Sequence, residues 1–286
     1  MSERSERINE TADPVTGQPP KAAPTRDLLV ERDGHVLTLT MNRPERKNAF
    51  SPEMLVMMAD AWQEFEDDDN LRVAILTGAG GDFCTGMDLK AFAAGPQDNP
   101  YQHRFQEDPD LHWKALLRHH YPSKPLIAAV EGYAVAGGTE ILQATDIRIA
   151  AEGATFGITE ARRGLFPLGG STVRLRRQIP YAKAMDILLT GRHVPAEEAE
   201  RIGLITRVVP DGTAVKEARA VADVIAANGP LSIKAIKQSV RETEGMSEID
   251  GLKRELEIGQ PIFMTEDAQE GPKAFSEKRA PEFKGK

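Results

Sequence analysis

Gly132-Tyr133-Ala134-Val135-Ala136-Gly137-Gly138-Thr139-Glu140 is the stretch on which the fold turns. An apolar run at residues 125–130 precedes it, and helix-forming residues 137–144 lead to a second apolar run at 147–150. Strand, glycine turn, short helix and strand succeed one another, the alternation of an α/β core. A helix that starts near Gly137 places unpaired N–H groups and the positive end of its dipole at the glycines, which makes an anion site. Glu140 falls in the first turn of that helix. Alone, it reads equally as a capping carboxylate or a catalytic one.

The neighbouring segments keep the pattern. Ser51 is placed to cap a helix that has Pro52 at its first position, and Met54, Met58, Trp62 and Phe65 recur at helical spacing, so one face should be buried. Strand-like runs at 28–31 and 35–41 flank Asp33-Gly34, a signal for a tight hairpin. A third run, 73–76, leads into a loop at 77–81 and a short helical stretch from Asp88, and residues 95–110 are expected to be mobile. From Asp211 the character changes to helix-period segments at 214–228, 231–243 and 247–259, which either cap the core or form a subunit interface.

Residues 1–26 are polar, carry Pro14, Pro19, Pro20 and Pro24, and lack apolar periodicity, so a disordered tail is expected. The expected division is tail 1–26, core 27–210 and helical region 211–286. No internal repeat is evident. The 286 residues suffice for one large core without disulfide staples, and Cys84 is the single cysteine. With no signal-peptide pattern, a cytoplasmic location is expected. The run from Pro125 to Gly138 is broken by Glu131 and falls short of the roughly 20 residues of a membrane helix. A net charge of −8 and a pI near 5.4 exclude the broad basic surface that nucleic acid requires. The six histidines (His35, His103, His112, His119, His120 and His193) form no i,i+4 pair, so no metal site is expected.

Other segments carry chemistry only in combination. Glu160, alone, reads first as a surface acid paired with Arg162 or Arg163. Cations gather at Arg43, Arg46 and Lys47, with Lys90 further on and Lys278-Arg279 near the C-terminus. Phe275 and Lys278 share a helix face, which fits a packed ring with an exposed lysine or an adenine-and-phosphate contact.

Together and in this order, the segments resemble the enoyl-CoA hydratase (crotonase) superfamily. The resemblance runs from about Leu28 to the C-terminus. It rests on Asn42-Arg43-Pro44 with Asn48-Ala49, on residues 83–90 and 132–140, on Asp146-Ile147-Arg148, on Phe156-Gly157 with Glu160 and Gly164, on Leu189-Thr190-Gly191-Arg192, on residues 199–204 with Val208-Val209-Pro210, and on Ala274-Phe275 with Glu277-Lys278-Arg279. It implies an α/β, crotonase-like spiral of ββα units with a C-terminal helical oligomerisation region that assembles trimers or hexamers. It further implies that the backbone N–H groups of Met87 and Gly137 polarise a thioester carbonyl, with Glu140 and Glu160 as the acid/base pair. Coenzyme A, part of the substrate and not a cofactor, is then expected against Arg43, Arg46, Lys47 and Ala49, beside Thr85, Asp88 and Lys90, with Phe275 and Lys278 reaching the nucleotide bound by a neighbouring subunit.

The chain departs from the family pattern at Ala136, where a glycine is frequent, at Met87, bulkier than alanine, and at Leu168, where glycine is usual. Met87, Phe166, Leu168 and residues 95–110 are expected to shape the acyl pocket. Acyl length stays open, with a long or bulky group such as a sterol side chain as one candidate. The reaction implied is addition of water to a 2-enoyl-CoA. Isomerisation or thioester hydrolysis on the same scaffold, and a noncatalytic acyl-CoA-binding protein, are the alternatives.

Overall fold

The structure, a computed structural model, describes residues 26–95 and 100–286. The expected tail lies outside them apart from Arg26. β1 (Leu28–Asp33) and β2 (Val36–Met41) form the antiparallel hairpin. Asp33 pairs with Val36, so the loop is Gly34-His35, one residue later than expected. Gly34 takes φ +59° at the first central position, as a II′-type turn requires.

α1 (Pro52–Asp67) begins as expected, with Ser51 Oγ accepting from Met54 N at 3.0 Å. Next come β3 (Val73–Gly78), α2 (Leu89–Ala94), α3 (Pro100–Glu107), α4 (Leu111–Ala115), β4 (Leu126–Val130), β5 (Tyr133–Val135), α5 (Gly137–Leu142), β6 (Ile147–Ala151) and β7 (Thr155–Gly157). The chain continues through α6 (Ser171–Gln178), α7 (Tyr181–Thr190), β8 (Val194–Pro195), α8 (Ala196–Arg201) and β9 (Arg207–Val209). It ends in α9 (Ala214–Ala226), α10 (Pro230–Glu242), α11 (Glu248–Gly259) and α12 (Glu266–Glu277). Part of the segment expected to be mobile is therefore helical. The turns of α3 are polar and hide the period, but Arg104 forks onto the Asp60 carboxylate of α1 and Phe105 packs against the core. Residues 96–99 lie outside the described residues.

One sheet has the order β1-β2-β3-β4-β6-β9, parallel from β2 onward. Its strands are apolar runs because both faces are covered. Ala74 and Leu76 join the layer of Met54, Met58, Trp62 and Phe65 of α1. Val73 and Ile75 meet Ala214, Ala218, Ala222 and Ala226, spaced four apart along α9 so that small side chains bring the helix close. The packed core thus runs past residue 210, and the expected division there is not a packing boundary; open apolar side chains occur on α9, at Val215 and Val224, as well as on α10 and α11.

A second sheet, β5-β7-β8, is continued by isolated bridges pairing Phe50 with Met87 and Cys84 with Ala134. Three large-sheet strands therefore pass through this second layer before a helix: β2 through Phe50 to α1, β3 through Cys84 and Met87 to α2, and β4 through β5 to α5. This is the ββα spiral that the motifs implied. Among the described residues no helix is long and apolar enough to cross a membrane.

Candidate active site

Two turns of successive spiral units meet backbone to backbone. Gly86 takes φ +83°, and a Cβ there would lie 2.7 Å from Gly137 N; a Cβ on Gly138 would lie 2.1 Å from Cys84 O. Only glycine permits this approach. The turns place Met87 N–H, beside the Phe50 bridge, near Gly137 N–H at the open end of α5. Among the described residues neither N–H has an acceptor. Ala136 precedes them at φ +51° and ψ −126°, a conformation that suits glycine and strains alanine.

Both N–H groups open on a cavity of about 1520 Å³. Residues from most of the spiral line it: Ala49 and Phe50, Thr85 and Met87, Phe105, Trp113 and Leu116, Leu165, Phe166 and Leu168, with Arg46, Lys47 and Lys90 among the cationic residues. Glu140 and Glu160 belong to the same lining. The folding of β5-α5 and of the turn Glu160–Arg163 therefore joins the two acids, 20 residues apart in the chain, at one cavity.

Glu140 is buried, and Ser171 N–H donates to its Oε1 at 3.2 Å. Gly169 lies so close that a Cβ there would come within 2.6 Å of Oε2. Burial pushes the Glu140 carboxyl above its usual range, against the hydrogen bonds from the Gly169–Ser171 main chain. Burial also raises Glu160, to about 7, and the negative charge of Glu140 adds to the rise. Glu160 Oε2 is buried with no hydrogen-bond partner among the described residues. A buried carboxyl oxygen without a donor is the position a water or substrate atom fills. At neutral pH the pair holds a transferable proton, and neither group titrates independently of the other.

Not every expected contact reaches the cavity. The Arg43 guanidinium turns inward, donating to Ala49 O at 2.6 Å and Asp88 Oδ2 at 3.1 Å, with Asp27 at 3.4 Å. Asp88 caps α2 through Oδ1 from Lys90 N and Ala91 N, and these bonds with Arg43 outweigh its partial burial and hold its carboxyl below the usual range. Arg43 thus builds the loop that presents Ala49 and Lys90 instead of offering free charge to a phosphate, while Asp88, which does line the cavity, anchors that loop. Asn48, fully buried, holds that loop through Arg43 N, Ala79 O and Asp82 O. Lys47 pairs with Asp82 at 3.1 Å and lies 4.3 Å from the Tyr133 ring centroid. Phe275 and Lys278 do not line the cavity of their own chain, and Phe275 is 86% exposed on α12. Cys84 is enclosed, and burial drives its thiol to about 12, so it is inert.

Sequence reasoning did not single out Tyr133, Trp113, Gly169 or His193 in the lining, or Ser171 against Glu140, because no spacing marks groups that only the spiral brings together; Phe105 lies in the 95–110 segment expected to shape the pocket. It also missed that His119 and His120 share Asp110 Oδ2, His119 at 3.0 Å, as exposed hydrogen-bond partners beside α4.

Residues 31–286 match the family model described as enoyl-CoA hydratase/isomerase. The chain is 54% identical over 260 residues, 91% of its own length and 97% of the relative's, to "Enoyl-CoA hydratase EchA19" of Mycobacterium tuberculosis. It is 40% identical over 259 residues, 90% of its length and 99% of the relative's, to "(E)-benzylidenesuccinyl-CoA hydratase" of Thauera aromatica. Among solved structures, a putative enoyl-CoA hydratase/isomerase of Mycobacterium abscessus superposes with a TM-score of 0.83 at 47% identity, covering 91% of this chain and all of that one.

Proposed function

The chain belongs to the enoyl-CoA hydratase/isomerase family, and from that premise we propose how its cavity hydrates a 2-enoyl-CoA to the 3-hydroxyacyl-CoA. The observation that carries the mechanism is the carboxyl pair itself, Glu140 buried and Glu160 half-buried with its Oε2 enclosed. One carboxyl, Glu160, keeps its proton to about pH 7 beside a second, Glu140, in a cavity walled by two unbonded N–H groups.

The thioester oxygen accepts from Met87 N–H and Gly137 N–H. When water attacks the β-carbon, charge moves onto that oxygen, and donors already aimed there stabilise the enolate; one such donor is worth about 3 kcal/mol. Glu140, its Oε1 fixed by Ser171 N–H, orients the water and favours loss of its proton. Glu160 exchanges protons with the water and delivers one to the α-carbon. The water's oxygen ends on the β-carbon and a hydrogen on the α-carbon, so the pair finishes with the protons it began with.

Arg46, Lys47 and Lys90 supply cations for the CoA phosphates, beside Ala49 and Thr85. No metal or redox cofactor takes part. The exposed apolar side chains of α10 to α12, among them Val240, Leu256, Phe263 and Met264, fit burial in a homotrimer or homohexamer. In such an assembly Phe275 and Lys278 contact the nucleotide of the adjoining protomer. A core joined to a helical oligomerisation region, acting in fatty-acid or related acyl-CoA breakdown in the cytoplasm, belongs to the same reading. The test is loss of conjugated absorbance when the protein is mixed with 2-enoyl-CoA thioesters of several chain lengths. Rapid loss is expected with at least one; no loss with any defeats hydration.

A further inference from the structure

Arg174 is a buried cation of α6 that reaches neither the cavity nor an acidic partner. Its Nη1 donates to Gly169 O at 3.2 Å, Nη2 to Leu117 O and Arg118 O at 2.6 Å each, and Nε to Tyr121 Oη at 3.0 Å. Leu117 is a non-glycine residue at φ +52°, a strained turn whose carbonyl this guanidinium holds. A Cβ on Gly169 would lie 2.6 Å from Glu140 Oε2, and Ser171 N–H grips Oε1. The adjoining carbonyl, Leu168 O, accepts from Arg118 Nε at 2.7 Å. On its far side Tyr121 carries the Arg241 guanidinium of α10, 3.2 Å from the ring centroid.

Buried arginine is costly unless its donors are used, and here they bind main chain of two segments, the turn after α4 and the stretch before α6, together with the Tyr121 hydroxyl. We propose that Arg174 is a positioning residue for hydration: its guanidinium fixes the Gly169–Ser171 main chain against the turn after α4, and so holds the Glu140 carboxylate aimed at the water. It touches no substrate atom. The inference rests on the hydratase reading.

The groups facing Glu140 are the acid Glu160, the Ser171 N–H and the positive Arg174, with Arg163 facing Glu160. Arg174 is the positive charge among those that favour ionised Glu140. Removing it disfavours the carboxylate, so the acid limb of the pH–rate profile moves to higher pH.

The test compares Arg174→Met and Arg174→Lys with the parent enzyme, by turnover of a 2-enoyl-CoA across pH and by ¹³C titration of the glutamate carboxyls, which needs no turnover. Arg174→Met is expected to lower kcat by about 10-fold or more with KM within about 2-fold, since a loosened carboxylate loses rate before affinity. Its acid limb and its Glu140 titration both move upward. Arg174→Lys keeps the charge without the fork, so the limb stays while kcat remains low. A methionine variant with the parent's rate and titration overturns the proposal, as does one that loses thermal stability alone. Should it fail to fold, Tyr121→Phe decides, because it removes the hydroxyl bonded to Nε while the charge stays: a smaller fall of about 3-fold in kcat with KM and the acid limb unmoved supports the role, and parent behaviour sinks it. An inactive parent defeats the hydratase reading and this role with it; an active parent with unaltered variants defeats only the role.

Discussion

Two pairs of buried charged side chains stand at opposite ends of the energetic scale. Lys124 and Lys237 are 1% and 9% exposed, yet every contact they need is present. Lys124 Nζ donates to Phe65 O at 2.6 Å and Asp68 O at 2.7 Å; Lys237 Nζ donates to Lys124 O and Asp146 Oδ2, both at 2.7 Å. Glu140 is buried and Glu160 half-buried beside it; among the described residues no cation bonds to either acid, and the enclosed Oε2 of Glu160 lacks a donor. Burial works against the charged form in both pairs, lowering the lysines and raising the acids. The lysines have been compensated by the fold and join α10 to the starts of β4 and β6, inside the sheet. The acids have been left for a ligand to satisfy, which separates a structural charge from a catalytic one.

The contrast breaks most sharply under substitution. Glu140→Gln and Glu160→Gln should each lower turnover by about 10²-fold or more with little change in affinity for CoA, because shape and much hydrogen bonding survive while proton transfer is lost. Steady-state kinetics on a 2-enoyl-CoA checks this, and parent turnover in either variant removes that residue from the chemistry. Lys237→Met should do the reverse. It takes the cation from Asp146, leaving that carboxylate the Leu126 N–H, and should cost about 2 kcal/mol in denaturant unfolding, with kcat per folded molecule unchanged.

A finer difference appears in stability against pH. The folded pKa of Glu160 is raised to about 7 from the ordinary 4.5, so the folded state binds the proton more tightly than the unfolded chain does. That acid therefore costs nothing below about pH 4.5, its cost grows as pH rises to about 7, and the full cost persists above. Glu160→Gln should then stabilise the protein by about 1–2 kcal/mol at pH 8 and by almost nothing at pH 4.5. Equal effects at both pH values would contradict the burial argument. Smallest is Ala136→Gly, which relieves the positive φ and should raise stability by about 1 kcal/mol in the same unfolding assay.

The sequence exposed what is local and periodic. Ser51, Pro52 and the Met54 to Phe65 face announced α1, and the glycines beside Met87 and Gly137 announced a close backbone approach. Several motif residues proved to be struts. Arg148 is buried on Leu204 O, Gln143 O and Thr145 O, and Arg192 forks onto Glu198 while its Nε meets Asp186. Arg43 reads differently in the fold for a physical reason: a cation three residues before a cationic pair looks free in one dimension, and only the fold brings Asp88 and Asp27 to it. Gly169, Ser171 and Arg174 were illegible because their partner, Glu140, lies about thirty residues away in another spiral unit, and no spacing encodes that.

Titration of the glutamate carboxyls by ¹³C NMR in the ligand-free protein reaches the acid pair without any turnover. Glu160 should titrate with a midpoint near 7, and the midpoint should fall in Glu140→Gln while staying above 4.5, since burial remains when the neighbouring charge is gone. Ordinary midpoints near 4.5 for both carboxyls, unmoved by that substitution, would mean that the two acids neither share the cavity nor hold a proton there.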